Sequence, residues 1–137
     1  MSDAAPWIEH PNATLVRGLF QAFADADIAR LVELVPEACT WHFPGRAGGL
    51  AGTHVGRDAV FGFLLRVGEL TDGTFHLDLH DVIANDTWAV ALFTGSARRQ
   101  DKTLDNPTSL RIRFANGAIS EIHEFVWDLF AVDDFWS

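Results

Sequence analysis

The chain has 137 residues, of which 48% are hydrophobic and 21% charged, a length and composition typical of one globular domain over residues 1–137. Nineteen acidic residues against ten basic ones give a formal net charge of -9, which disfavours binding to nucleic acids and to anionic membrane surfaces. Residues 1–11 lack a basic start and an apolar run, so we expect no signal peptide, and the lone Cys39 fits a reducing compartment. We therefore expect a cytoplasmic protein whose partners are a small molecule or a second copy of itself.

The first half of the chain predicts three helices. Apolar residues recur at helical spacing over residues 12–23, with Asn12 as the expected N-cap. The same spacing continues over residues 28–35, where Pro36 ends the second helix because its ring forbids helical continuation. A third amphipathic pattern covers residues 58–73.

Strands account for most of the remaining sequence. A short strand is predicted at residues 38–43 and is followed by a glycine-rich loop. Period-two alternation then predicts four long strands, at residues 74–84, 87–99, 108–115 and 118–127. The Asn116-Gly117 pair between the last two favours a tight hairpin turn. Helices followed by a meander of strands predict an α+β fold with the helices on one face of the sheet.

Two segments within this order, Trp41-His42-Phe43-Pro44-Gly45 and Gly56-Arg57-Asp58-Ala59-Val60, resemble the SnoaL-like domains, which are related to ketosteroid isomerases and share the nuclear transport factor two-like fold. The resemblance covers nearly the whole chain. It implies a cone-shaped, curved mixed or antiparallel sheet, with three N-terminal helices enclosing one pocket. Residues 41–45 would lie at the pocket mouth, and the last strand, with Glu121-Ile122-His123-Glu124-Phe125, would cross the pocket floor.

The resemblance also implies a range of chemistry. Known activities in such folds are isomerisation, aldol-type cyclisation and epoxide opening, performed by side-chain acids and bases without a metal or organic cofactor. Ketosteroid isomerases place a carboxylate before the proline of the first strand, where this chain has Phe43, and they use a tyrosine, which this chain lacks. Limonene epoxide hydrolases use an Asp-Arg-Asp set, for which the matching inward positions here are Thr94 and Ser96. Only the last-strand carboxylate is retained, as Glu124.

Glu124 is the leading candidate for a catalytic acid or base. The resemblance directs its side chain into the cavity, between the apolar neighbours Ile122 and Val126 on the same strand face. A carboxyl group desolvated in this way has a raised pKa and exchanges protons near neutral pH. A slip of one residue in strand register would reverse this arrangement, because Glu121 and His123 would then face inward.

His42 is the expected polar partner of Glu124. It lies two residues before Pro44, where the resemblance implies a polar group in the pocket wall that positions a substrate oxygen or relays a proton. Simple alternation along residues 39–43 favours the opposite orientation, with His42 pointing outward.

A further set of residues is expected to bind the substrate. Thr94 and Ser96 would orient a ligand, or are ordinary strand residues, and Asp128 either supports the catalytic pair or caps a short C-terminal helix beginning near Leu129, which is the commoner role of such an Asp. The full set of substrate-binding candidates is Trp41, Thr94, Ser96, Ile122, Val126 and Asp128.

We expect no metal site. His76, Asp78 and His80 share one strand face, but two-residue steps place the outer pair about 13 Å apart, too far to share one ion. Cys39 is alone, so it anchors no structural site. The sequence therefore predicts that no set of His, Asp and Glu converges at metal-ligand spacing.

These features predict a cofactor-independent isomerase, cyclase or hydrolase acting on a hydrophobic small molecule. Two alternatives remain: a non-catalytic small-molecule-binding module with the same pocket, and a dimeric interaction domain whose cavity is filled by its own side chains. An open cavity with Glu124 and His42 favours the enzyme, an open and wholly apolar cavity the binding module, and a closed core the interaction domain. We expect a homodimer, because an open sheet with apolar residues on both faces needs its convex side covered.

Overall fold

The computed structural model describes residues 8–137, which form four helices and six strands. The elements in chain order are α1 (Pro11–Ala24), α2 (Ile28–Leu34), β1 (Thr40–Phe43), β2 (Gly52–Val55), α3 (Arg57–Leu70), β3 (His76–Ala84), β4 (Trp88–Arg99), β5 (Lys102–Ala115), β6 (Ala118–Val126) and α4 (Leu129–Trp136). None of these helices is both long enough and apolar enough to span a lipid bilayer.

All six strands belong to one curved, unclosed sheet with the order β2-β1-β6-β5-β4-β3. Neighbouring strands are antiparallel except for β1 and β6, which run parallel with His42 directly opposite His123. The predicted α+β fold, with three helices before the main sheet, is confirmed. The short C-terminal helix also begins where the sequence places it, at Leu129.

The start of α1 differs from the prediction. The N-cap is His10, whose imidazole Nδ1 accepts a hydrogen bond from the backbone N–H of Asn12 at 3.1 Å. The Asn12 side chain instead donates to the backbone carbonyl of Asn85 at 3.0 Å. This bond ties α1 to the turn between β3 and β4, so Asn12 fixes the helix against the sheet.

The strand boundaries differ in two places. The predicted glycine-rich loop contains β2, which pairs with β1 at one edge of the sheet. Strand β5 begins at Lys102, six residues earlier than expected, and continues through Pro107. The proline is tolerated because its carbonyl faces β6 and accepts a bond from the N–H of Trp127 at 3.1 Å. In an antiparallel strand the nitrogen of a residue faces the same neighbour as its carbonyl oxygen, so the missing N–H of Pro107 lies on the β6 side and removes no bond to β4.

Alternation along the strands separates a buried concave face from an outer face. In β4 the buried positions are Ala89, Ala91, Phe93 and Ala97, so the intervening even-numbered residues face outward. The hairpin turn at Asn116-Gly117 has positive φ at both residues, 53° and 78°, as the sequence predicts. The helices pack on the concave face and leave space between them and the sheet.

Candidate active site

An apolar cavity lies between the concave face of the sheet and the four helices. Its water-accessible part measures about 70 Å³, and its whole empty space, including the mouth towards solvent, about 830 Å³. Every layer of the fold contributes to the lining, including Phe20 from α1, Phe63 from α3, Phe93 from β4, Ile122 from β6 and Trp136 from α4. Among the described lining residues, Glu124 is the one ionisable group.

The register of β6 directs Glu124 into this cavity. Glu124 lies opposite Leu110 of β5 and Ile122 lies opposite Ile112, and these three apolar neighbours are buried. The indole Nε1–H of Trp41 donates a hydrogen bond to Oε1 of Glu124 at 3.2 Å. That bond fixes the orientation of the carboxyl group across β1 and β6.

The second carboxyl oxygen of Glu124 faces the cavity space. Oε2 has no hydrogen-bond partner among residues 8–137, and no side-chain nitrogen or oxygen there is both fully buried and unpartnered. Oε2 is therefore reachable by a molecule in the cavity. Burial among apolar side chains raises the pKa of Glu124 to about 7, while the hydrogen bond from Trp41 acts in the opposite direction. Near neutral pH the group is both a usable acid and a usable base.

His42 does not meet Glu124, contrary to the expectation from the resemblance. Trp41 and Phe43 fill the concave face of β1, so His42 between them points to the outer face. The sheet itself lies between the imidazole and the cavity. His42 and Glu124 therefore have no side-chain contact through which a proton could pass.

Instead, His42 belongs to a cluster on the outer face with Glu121 and His123. Its Nε2 lies 2.8 Å from Oε2 of Glu121, and its ring stacks on that of His123 with centroids 4.1 Å apart. Its Nδ1 lies 2.9 Å from the hydroxyl of Thr53 on β2. The hydrogen bond with His42 lowers the pKa of Glu121.

This cluster shows that one sequence-based prediction was wrong. Ligand atoms of His42, Glu121 and His123 all lie within 4.8 Å of one another, so a set of His and Glu does converge. The sequence argument considered residues along a single strand, whereas the parallel pairing of β1 with β6 brings His42 beside two residues of its neighbour. His76, Asp78 and His80 do not form such a group, and His80 contacts the Thr94 hydroxyl at 2.8 Å.

The other predicted substrate-binding residues are distributed over both faces. Ile122 lines the cavity, but Thr94 and Ser96 occupy outward positions of β4, because Phe93, Gly95 and Ala97 take the inner ones. Val126 is half-buried opposite Thr108 and does not line this cavity. Asp128 caps α4, since its carboxylate accepts the N–H of Ala131 at 3.1 Å.

Several cavity residues were not singled out as site residues from the sequence. Phe20 and Phe63 lie on helix faces that helical spacing does identify as apolar. Spacing alone does not separate the part of an apolar face that lines open space from the part that packs solidly. The sequence pattern did not identify Trp136, at the end of α4, as a cavity residue, because its position depends on how α4 folds back over the sheet.

Taken together, the architecture defines a class: cone-shaped α+β domains in which helices and a curved sheet enclose one pocket. A family model described as a SnoaL-like domain matches residues 16–122. The chain therefore belongs to the SnoaL-like family. The ionisable group in its cavity lies just beyond the matched segment, at the end of β6.

Relatives and solved structures agree with this assignment. The chain is similar to an uncharacterized protein of Mycobacterium tuberculosis, with 34% identity over 124 residues that cover 90% of this chain and 94% of the relative. It is similar in structure to Bal32a from a soil-derived mobile gene cassette, with a TM-score of 0.88, 37% identity, and coverage of 93% of this chain and 97% of that one. TerC, co-crystallized with polyporic acid, shares the fold with a TM-score of 0.78 at 20% identity, covering 92% of this chain and 98% of TerC.

Proposed function

We propose that the protein is a cofactor-independent acid/base enzyme, of the isomerase, cyclase or hydrolase type, acting on a hydrophobic small molecule in the cavity. The observation that supports this is one carboxyl group, Glu124, with a pKa near 7 inside an otherwise apolar cavity. Enzymes obtain such values by burial, and a group poised near the working pH transfers protons most effectively. No metal or organic cofactor is required by this chemistry.

The carboxyl group defines the step that the site performs. As a carboxylate, Glu124 accepts a proton from a carbon or hydroxyl of the bound molecule through Oε2. The resulting carboxylic acid then returns that proton to another atom of the same molecule, so an isomerisation balances without a further reactant. Trp41 keeps Oε1 in place during both transfers, because its indole is only 9% exposed and packs against Phe63 at a ring distance of 5.6 Å.

The cavity lining also restricts the substrate. No second carboxyl group and no hydroxyl lies among the described lining residues, and the indole N–H of Trp41 already donates to Glu124, so Trp136 is the one other lining side chain there with an N–H for a developing oxyanion. Substrates whose conjugate base is delocalised over their own atoms suit such a site best. The co-crystallization of TerC, which shares the fold, with polyporic acid supports a small-molecule ligand for the cavity here.

A direct test uses nitrobenzisoxazole, a flat, uncharged molecule whose ring opens to a coloured phenolate when a base removes its carbon-bound proton. We expect the protein to accelerate this opening, with a rate that rises as pH increases through about 7 because the carboxylate is the active form. Glu124→Gln keeps the shape but removes the base, so the acceleration should fall by a factor on the order of a hundred or more. Absorbance of the phenolate measures both quantities.

Glu121→Gln is the matched control, since Glu121 lies on the same strand but on the outer face. The control variant should keep the wild-type rate and pH profile. Equal rates in wild type and Glu124→Gln would show that Glu124 is not the base. Binding of the molecule without any acceleration, shown by competition with an apolar fluorescent dye, would favour the alternative of a non-catalytic binding module.

We also propose that the protein forms a homodimer through the outer face of the sheet. Leu92, Phe125 and Trp127 line a shallow groove there, and Phe125 and Trp127 are 52% and 85% exposed. Trp88 extends the apolar strip, with the guanidinium of Arg111 stacked 4.8 Å above its ring. A patch of this kind that meets its own copy across a two-fold axis buries both apolar strips at once.

Light scattering at micromolar concentration tests the dimer. The wild type should show twice the mass of one chain, and Phe125→Asp should show the mass of one chain because it places a charge within the strip. Leu65→Asp, an equally drastic change at the 66% exposed Leu65 of α3, should leave the dimer intact. A single-chain mass for the wild type at all concentrations would contradict the proposal.

A further inference from the structure

The outer-face cluster of His42, Glu121 and His123 has the composition of a transition-metal site. It offers two imidazole nitrogens and one carboxylate oxygen, a donor set suited to zinc and to neighbouring divalent ions such as cobalt or nickel. The cluster is independent of the cavity, because the sheet separates it from Glu124. The mechanism proposed above uses none of its three residues.

Backbone pairing places these three donors together. Glu121 and His123 are two residues apart on β6 and therefore share its outer face. His42 of β1 lies directly opposite His123 in the parallel ladder, and Thr40 lies opposite Glu121, so the His42 side chain reaches both neighbours. The positions are thus fixed by regular sheet structure and do not depend on a loop.

The distances suit one ion once the stacked rings of His42 and His123 rotate so that their lone pairs converge on it. The three donor atoms lie within 4.8 Å of one another, and Nε2 of His42 and Oε2 of Glu121 are already 2.8 Å apart. Donors bound to one tetrahedral zinc at about 2.0–2.1 Å stand about 3.4 Å from each other. The side chains of His42 and Glu121 are 30% and 41% exposed, so an ion can reach them while the strands limit their motion.

Thr53 supplies the outer contact that such sites need. When Nδ1–H of His42 donates to the Thr53 hydroxyl at 2.9 Å, the Nε2 lone pair is left for the metal. Two arginines of the adjacent strand β5 lie beside the cluster, since Arg111 is opposite His123 and Arg113 is opposite Glu121. Their guanidiniums lie 4.8 Å and 5.8 Å from the centroid of the Trp88 ring on β4.

From this geometry we propose that His42, Glu121 and His123 bind one divalent transition-metal ion, with zinc as the best-suited ion, on the outer face of the sheet. Three protein ligands leave at least one coordination position for water or for an added donor. The site would be present in each copy of the chain.

Calorimetric titration of zinc chloride into the full chain, after removal of any affinity tag, tests this proposal. We expect one ion per chain, and loss of one ligand in His42→Gln, His123→Gln or Glu121→Gln should weaken binding by about a hundredfold or more. Thr53→Val keeps all three ligands and should weaken binding by about tenfold, because it removes only the contact that orients His42. His80→Gln, which removes an exposed imidazole elsewhere on the outer face, is the matched control and should bind as the wild type does.

Cobalt provides a second readout, which reports the coordination geometry of the bound ion. Cobalt bound by two imidazoles and a carboxylate in a tetrahedral site gives visible absorption bands, which each ligand variant should abolish. The proposal is overturned if the wild type shows no saturable binding, in which case the cluster is an ordinary cross-strand ion pair. It is equally overturned if His80→Gln weakens binding as much as His42→Gln does. Circular dichroism checks the fold of each variant, and three independent ligand variants ensure that one misfolded protein does not decide the result.

Discussion

Replacing Glu124 by glutamine should stabilise the protein by about 2–3 kcal/mol above pH 8 and change its stability little near pH 4. Burial raises the pKa of Glu124 from 4.5 to about 7 in the folded protein. Between these values the unfolded chain has released its proton while the folded protein still holds it. The free energy of unfolding therefore falls as pH rises through this window, and the full loss persists above it.

The size of the expected stability difference follows from the pKa shift of Glu124. One pKa unit corresponds to about 1.4 kcal/mol, and the opening of the cavity to solvent reduces the total below the value for complete burial. Glutamine has nearly the same shape and still accepts the Trp41 hydrogen bond, but it carries no charge at any pH. The variant should therefore keep the stability that the wild type loses on ionisation.

Urea unfolding of both proteins at several pH values between about 4 and 8.5 measures this difference. Glu121→Gln is an informative control because the pKa of Glu121 is lowered by its bond with His42, so ionisation favours the folded state there. Its replacement should cost stability at high pH, opposite in sign to Glu124→Gln. A Glu124→Gln variant whose stability gain does not change with pH would show that the wild-type carboxyl group is not desolvated.

The orientation of Glu124 shows how far the sequence alone could lead. Strict alternation from the buried Ile119 would place Glu121 and His123 inside the cone. The ladder instead pairs Phe114 with Ile119 and Arg113 with Glu121, so Ser120 is an extra residue in a bulge. The bulge exchanges the faces of the strand and turns Glu124 inward. No local pattern marks it, and here the family resemblance gave the correct face where alternation failed.

On β1 the alternation of apolar and polar residues gave the correct face for His42, and the family resemblance gave the wrong one. The strand has no bulge, so simple alternation correctly buries Trp41 and Phe43 and turns His42 outward. The resemblance had implied a pocket position for His42. The parallel pairing of β1 and β6 was also beyond local reasoning, because residues 40–42 and 121–123 are far apart in sequence and their contact depends on the assembly of the whole sheet.

The loop after β1 gives the second large expected effect, through Gly48. Gly48 has φ of 67°, and a Cβ atom added to it would lie 2.5 Å from the backbone carbonyl oxygen of Trp136. Trp136 is buried at the end of α4 and lines the cavity. Asp133 fixes α4 from the same side, since its carboxylate accepts the backbone N–H of Arg46 at 2.8 Å. The loop and the end of α4 are therefore packed too closely for a methyl group at residue 48.

Gly48→Ala should destabilise the protein by about 3–4 kcal/mol, of which about 1–2 comes from the left-handed backbone and the rest from the collision with Trp136. Gly49→Ala separates these causes, because Gly49 has φ of 73° but no atom within 4 Å of an added Cβ. Gly49→Ala should therefore lose only the stability that comes from the left-handed backbone, about 1–2 kcal/mol. Urea unfolding measures both losses, and an apolar fluorescent dye should bind with altered affinity in Gly48→Ala alone, because only that change displaces the cavity wall. Equal losses in the two variants would mean that the end of α4 yields freely, and the cavity would then have a movable wall at Trp136 in place of a fixed one.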